Sequence, residues 1–123
     1  MSQDYTILIV DDDYMDRGLI RNAIANTIPE AILMEAETGF EALEKTERNI
    51  IAAAIIDFKM PGMDGLELID ELQNRHPNIQ LLLCTVYMDT PSRQRAKGKN
   101  IHVVSKPLTP EKIHSFLNES IDA

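Results

Sequence analysis

The chain has 123 residues, with 20 acidic against 12 basic side chains, a formal charge of −8, one cysteine and no tryptophan. This length suits one domain, because folding at this size buries roughly two-thirds of the extended chain's surface without help from disulfides or a structural metal. The acidic balance excludes general nucleic-acid binding, since like charge repels phosphate, and a 44% hydrophobic fraction excludes a disordered tail.

The opening MSQDYTILIV lacks the basic flank and small-residue cleavage site of a signal peptide. The longest apolar run, Ile50 to Ile56, is far shorter than the about 20 residues a membrane helix needs. A lone Cys84 cannot form an internal disulfide, which points to a reducing, cytoplasmic setting. No repeat or linker divides the chain, so residues 1–123 read as a single domain.

Five apolar runs are short and mostly continuous: Tyr5 to Val10, Ala31 to Ala36, Ala52 to Ile56, Ile79 to Cys84 and Ile101 to Val104. Strands buried on both faces have this pattern. Helical spacing lies between them. Met15, Leu19 and Ala23, flanked by Ile20 and Ile24, make one stripe, and Ile113, Phe116, Leu117, Ser120 and Ile121 make another. Asp13 suits a helix start and Asp64 the cap of the third helix. Thr38 with Glu41 has capping-box spacing, and Thr90-Pro91 and Thr109-Pro110 each set a capping hydroxyl before a proline. The order βαβαβαβαβα predicts an α/β fold, a doubly wound five-stranded parallel sheet with right-handed crossovers. The fourth helix is out of character. Pro91 to Lys99 has one Ala as its only apolar helix former, and Arg93 to Lys106 holds five bases and no acid.

In an open parallel sheet, ligands sit beyond the carboxyl ends of the strands, near the point where strand order reverses. The first strand runs into Asp11, Asp12 and Asp13, and the third runs into Asp57. In a 2-1-3-4-5 order these acids converge and repel one another. A divalent cation relieves that repulsion, and an all-oxygen set suits Mg²⁺ or Mn²⁺ with a phosphate oxygen completing the shell. Thr85 and Lys106 follow the fourth and fifth strands and offer a hydroxyl donor and a point charge. Asp57 then has the surroundings of a nucleophile.

Together, ILIVDDD around Asp11 and Asp12, IIDFKMPGMDGLEL around Asp57, Thr85, and Lys106-Pro107 resemble the receiver domain of two-component response regulators over nearly the whole chain. The resemblance implies a flavodoxin-like (βα)5 fold and transfer of a phosphoryl group to Asp57 from a sensor histidine kinase or histidine phosphotransfer protein, with Mg²⁺ required. It implies metal ligation by Asp12, Asp57 and the Lys59 carbonyl, with Asp11 acting largely through water. Thr85 and Lys106 are implied to hold the phosphoryl oxygens, and Lys106-Pro107 to be a cis peptide. An in-line water would reset the domain. A change of the face around the fourth helix, fifth strand and fifth helix would signal to an unidentified output protein. With no output module after the fifth helix, the expectation is a stand-alone regulator or a fragment, not an enzyme on other substrates.

Three positions depart from the family pattern. Val86 stands where Ala or Gly is usual, which predicts a narrowed site. Val103 replaces the switch aromatic, and Tyr87 and His102 are the nearby candidates to substitute for that ring. Lys59 adds a cation near the path of an attacking water. Cys84 reads as core, His76 and His114 as solvent-facing, and Met60, Met63 and Met88 as gap fillers. The basic run Arg93, Arg95, Lys97 and Lys99 reads as a solvated face or a dock for an acidic partner. Three rival readings are a haloacid-dehalogenase-like phosphatase with Asp11 as nucleophile and Asp13 as acid, a flavodoxin-like cofactor carrier, and a non-phosphorylated interaction module.

Overall fold

In the computed structural model, which describes residues 5–122, five strands alternate with five helices. In chain order they are β1 (Thr6–Val10), α1 (Tyr14–Thr27), β2 (Ile32–Ala36), α2 (Gly39–Thr46), β3 (Ala53–Asp57), α3 (Gly65–Arg75), β4 (Gln80–Thr85), α4 (Thr90–Ala96), β5 (His102–Ser105) and α5 (Pro110–Asp122). The strands form one parallel sheet in the order β2-β1-β3-β4-β5, as the sequence predicts.

The continuous apolar runs split by the period of two that a strand imposes. Leu8, Val10, Ala54, Ile56, Leu81 and Leu83 join Leu66, Leu68, Ile69 and Leu72 in a core on one face of the sheet. Ile7, Ile9, Ala53, Ile55, Leu82 and Cys84 join Ile20, Ala23 and Ile24 of α1 and Ile113, Phe116 and Leu117 of α5 on the other. Burial on both faces holds for β1, β3 and β4. The edge strands differ: β2 is largely half-buried and β5 largely exposed, because neither has a neighbour on its outer side.

Several local expectations are corrected. On α1 the inward positions are Arg17, Ile20, Ala23 and Ile24, while Met15 and Leu19 are exposed. The stripe is rotated so that Arg17 reaches the buried Asp11 carbonyl and Glu35. The cap of α4 is Asp89, not Thr90; its side chain accepts from the Ser92 N–H, and Pro91 lies in the first turn. His76 is half-buried rather than solvent-facing, and its pKa is held down by that burial and by Arg75. His114 is exposed and its Nδ1 lies 3.2 Å from the Thr27 hydroxyl.

Other caps form as read. Asp13 caps α1, Thr38 caps α2, Asp64 and Glu67 make a complete capping box on α3, and Thr109 accepts from the Lys112 N–H at the start of α5. The side chains of Ser120 and Ile121 lie outside the described residues. Among the described residues no helix is long and apolar enough to cross a membrane.

Candidate functional site

Register brings the acids together. Val10 of β1 pairs with Ile56 of β3, so the next residues on each chain, Asp11 and Asp57, leave the sheet side by side. One carboxylate oxygen from each of Asp11, Asp12 and Asp57 lies within 4.8 Å of the others. Asp11 and Asp57 are buried and Asp12 is exposed. Lys106 follows β5, its N–H donating to the Thr85 carbonyl at 2.9 Å. Its Nζ reaches 3.1 Å from Asp57 Oδ1, 3.1 Å from Asp16 Oδ2 and 3.4 Å from Asp11 Oδ2. The Lys106-Pro107 bond is cis.

One ammonium is thus shared among several carboxylates. Burial, and after it the charge of Asp11, pushes the Asp57 carboxyl up to about 6, although Lys106 pulls the other way. Burial also raises Asp11, against the N–H of Asp13 and the charge of Lys106. For Lys106 burial disfavours the charge, but Asp57 and Asp11 outweigh it and hold the ammonium above its usual range. The cation is over-compensated while each buried acid is under-compensated. This is the electrostatic signature of a site with room for more positive charge, and its donors are all oxygen, which fits Mg²⁺.

Two features of the surroundings are illegible in single motifs. Arg17 is buried, and its Nη1 donates to the Asp11 carbonyl at 2.6 Å while Nε lies 3.3 Å from Glu35 and Nη2 3.5 Å from Glu37. It holds the turn that carries Asp11 and Asp12. A charged residue on a helix usually reads as solvated; the available signal is the pair of acids, Glu35 and Glu37, at the end of β2. Gly65 is the second. A Cβ there would lie 2.7 Å from the Asp57 carbonyl oxygen and 2.7 Å from Leu83 Cδ1, so α3 starts closer to β3 than a side chain permits.

The Thr85 hydroxyl donates to the Tyr87 carbonyl at 2.8 Å, turning it toward its own loop rather than toward Asp57. Val86 is 82% exposed beside it. Lys59 is exposed. Val103, 47% exposed, faces a cleft of about 450 Å³ between β5 and α4, with Met88 and Ala96 in its wall and Tyr87 lining it too. His102 points to the opposite face, its ring edge-on to Phe116 at 5.5 Å, so it does not substitute for an aromatic at position 103.

The basic run is largely exposed, and part of it is engaged within the domain. Arg95 pairs with Asp64 at 3.2 Å, Lys99 pairs with Asp70, and Arg93 Nε donates to the Met88 carbonyl at 3.0 Å. Arg95 and Lys99 thus tie α4 and the loop after it to α3, Arg93 ties α4 to the loop before it, and Lys97 is exposed. Cys84 lies in the core, where burial pushes its thiol up to about 12. Met60, Met88 and the half-buried Met63 pack against the adjacent core.

The sequence profile described as response regulator receiver domain matches residues 7–118. The chain belongs to the response regulator receiver domain family. A receiver-containing relative, the cyclic di-GMP phosphodiesterase response regulator RpfG of Xanthomonas campestris pv. campestris, is 32% identical over 112 residues, 89% of this chain and 30% of that protein. The structure of a two-component transcriptional regulator from Clostridium phytofermentans superposes with a TM-score of 0.82 at 31% identity, covering 97% of this chain and 93% of that one. A receiver domain protein from Methanospirillum hungatei gives 0.88 at 24% identity, covering 98% and 95%, and supports the fold.

The chain spans between 26% and 32% of the length of the first curated relatives it matches. As a receiver domain it falls in a class that generally binds Mg²⁺ at an acidic pocket and works with histidine kinases or phosphotransfer proteins and with output domains. Membership is consistent with a phosphorylation-dependent signalling switch and removes the phosphatase and cofactor-carrier alternatives.

Proposed function

We propose that this domain carries its phosphoryl group on Asp57, received from a phosphohistidine on a sensor kinase or phosphotransfer protein. The observation that carries the reading is the placement of the Asp57 carboxylate, ending β3 beside Asp11 and Asp12 and 3.1 Å from Lys106. Asp12, Asp57 and the Lys59 carbonyl would hold Mg²⁺, with Asp11 acting largely through water. Bound there, Mg²⁺ supplies positive charge that keeps Asp57 ionised and screens the phosphoryl oxygens from the surrounding acids. An Asp57 oxygen attacks phosphorus in line, the P–O bond forms, and the P–N bond breaks with its electron pair returning to the donor imidazole. Lys106 and the Thr85 hydroxyl take the equatorial oxygens, which requires Thr85 to leave the Tyr87 carbonyl. Water attack on phosphorus then breaks the aspartyl P–O bond and releases inorganic phosphate.

The domain therefore catalyses only its own loading and unloading, in the cytoplasm, and residues 1–123 act as one unit. Thr85 and Val103 sit on the same cleft against α4, so the change in Thr85 is read on the α4, β5 and α5 face by an output protein. Incubation with acetyl phosphate and Mg²⁺, followed by intact mass and peptide mapping, tests the reading. The expected result is one phosphoryl group on the peptide containing Asp57 and none in Asp57→Asn. Label on Asp11 rejects the assignment to Asp57, and no label in the wild type rejects it and leaves the interaction-module reading.

A further inference from the structure

Asp16 is an acid that neither the metal site nor the phosphoacceptor accounts for. It stands in the first turn of α1, and its carboxylate reaches into the site to lie 3.1 Å from Lys106 Nζ, as close as Asp57 does. An ammonium has three donors. Here it donates to Asp11 and Asp16 and is ion-paired with Asp57 at 3.1 Å, so a phosphoryl oxygen would enter as a fourth anionic neighbour.

A phosphoryl oxygen can be gripped by Lys106 only if one of these contacts is released. The Asp11 side chain is 2% exposed and also accepts from the Asp13 N–H at 2.9 Å, and Asp57 is 9% exposed and bears the incoming group. The Asp16 side chain is 36% exposed, on a helix surface, and water replaces its lost partner at small cost. Asp16 is the contact that yields.

Resting on the assignment of Asp57 as phosphoacceptor, we propose that Asp16 is a positioning residue: it tethers Lys106 in the unphosphorylated domain and competes with the phosphoryl group for the ammonium. The tether sets how readily Lys106 follows phosphorus onto Asp57, and hence how fast the domain loads. A merely acidic neighbour acts differently. Through-space charge alone would repel an acyl phosphate whether or not Lys106 is present, whereas a tether has no effect once its cation is gone.

The test is a double-mutant cycle on the phosphorylation rate with acetyl phosphate at saturating Mg²⁺, using wild type, Asp16→Asn, Lys106→Gln and the double variant. Releasing a part-exposed ion pair should speed loading of Asp16→Asn by about three-fold, and the same substitution should change nothing in the Lys106→Gln background. The Asp16→Ala variant, at a surface helical position, should behave like Asp16→Asn, and Asp16→Glu should restore the wild-type rate. A readout apart from loading is the Lys106 side-chain ammonium resonance in metal-free protein, which should shift and exchange faster with water in Asp16→Asn.

An unchanged or slower rate in Asp16→Asn, an equal gain in the Lys106→Gln background, or an unmoved ammonium resonance overturns the tether. Wild type that takes no phosphoryl group on Asp57 overturns the phosphoacceptor assignment instead, and the tether with it. Mass mapping of the same samples separates these failures.

Discussion

Asp57 closes a strand whose every other side chain is buried, and its neighbours at the carboxyl end of the sheet are further acids, so in the metal-free protein it gives up its proton less readily than an ordinary carboxyl. Its folded pKa of about 6 lies above the ordinary 3.8. The folded state therefore holds this proton more tightly than the unfolded chain does. That contribution is complete below pH 3.8 and is lost as pH rises through about 6. In chelator, the stability gap between wild type and Asp57→Asn should accordingly open with rising pH. From near zero at about pH 4, the variant should become roughly 1–3 kcal/mol more stable at neutrality, as read by urea unfolding. Arg17 makes the opposite case, a buried charge fully used by Asp11, Glu35 and Glu37. Arg17→Met should cost about 1–3 kcal/mol, because it strands the buried Asp11 carbonyl and leaves Glu35 with Arg21 as its remaining cation. The same variant should weaken Mg²⁺ binding, measured by calorimetry, since the turn holding Asp11 and Asp12 loses its brace. Asp57 and Thr85 are readable in the sequence because each follows an apolar run directly, and Lys106 because Ser105 alone separates it from one. Arg17 and Asp16 are not, since a charged residue on a helix looks the same whether it faces water or a site.

At the level of elements, β3 and α3 meet with no side chain between them, at Gly65, where a methyl group would press on the Asp57 carbonyl and on Leu83. The contact is with backbone and a packed leucine, so it does not yield easily. Gly65→Ala should destabilise the fold by about 1–3 kcal/mol and slow loading of Asp57 as the end of β3 shifts, seen in the same acetyl phosphate assay. Helix α4 stands at the other extreme. Ser92 is its one buried residue, and what fastens it is the Asp89 cap and the ion pair of Arg95 with Asp64. Amide exchange in α4 should therefore be faster than in α3, whose Leu66, Leu68, Ile69 and Leu72 are fully buried. Arg95→Ala should widen the difference, and equal protection in the two helices would contradict this account. The sequence shows the weakness of α4 because Ala96 is the one apolar helix former from Pro91 to Lys99. It misplaces the cap by one residue because Asp89 and Thr90 are both good capping types next to a proline. The α1 stripe is misread for a related reason: counting apolar residues puts Met15 and Leu19 inside, whereas the helix is turned by what Arg17 must reach.

Across the whole molecule, the carboxyl ends of β1, β3, β4 and β5 supply the site, so its geometry follows the sheet's register, with Arg17 of α1 bracing the turn after β1. The two core layers hold these strand ends at fixed spacing, and the cost is a cluster of acids that the fold cannot spread apart. That cost makes global stability a gauge of site charge. A cation that binds the folded cluster and not the unfolded chain stabilises by RT ln(1 + [L]/Kd), about 2.7 kcal/mol at a hundredfold excess over Kd. Its effect with pH must run opposite to that of the metal-free protein, because Mg²⁺ needs the carboxylates ionised while burial favours them protonated. The share of stability contributed by Asp11 and Asp57 should fall with rising pH in chelator, so the increment given by Mg²⁺ should grow over the same interval. Asp57→Asn and Asp12→Asn should each lose most of the Mg²⁺ increment, whereas matched ionic strength in sodium chloride should not reproduce it. Thermal or urea unfolding at two pH values, with and without Mg²⁺, distinguishes the two slopes. If the slopes stay parallel, the acids at the ends of β1 and β3 do not act as one charge cluster, and the electrostatic account of the site fails at its base.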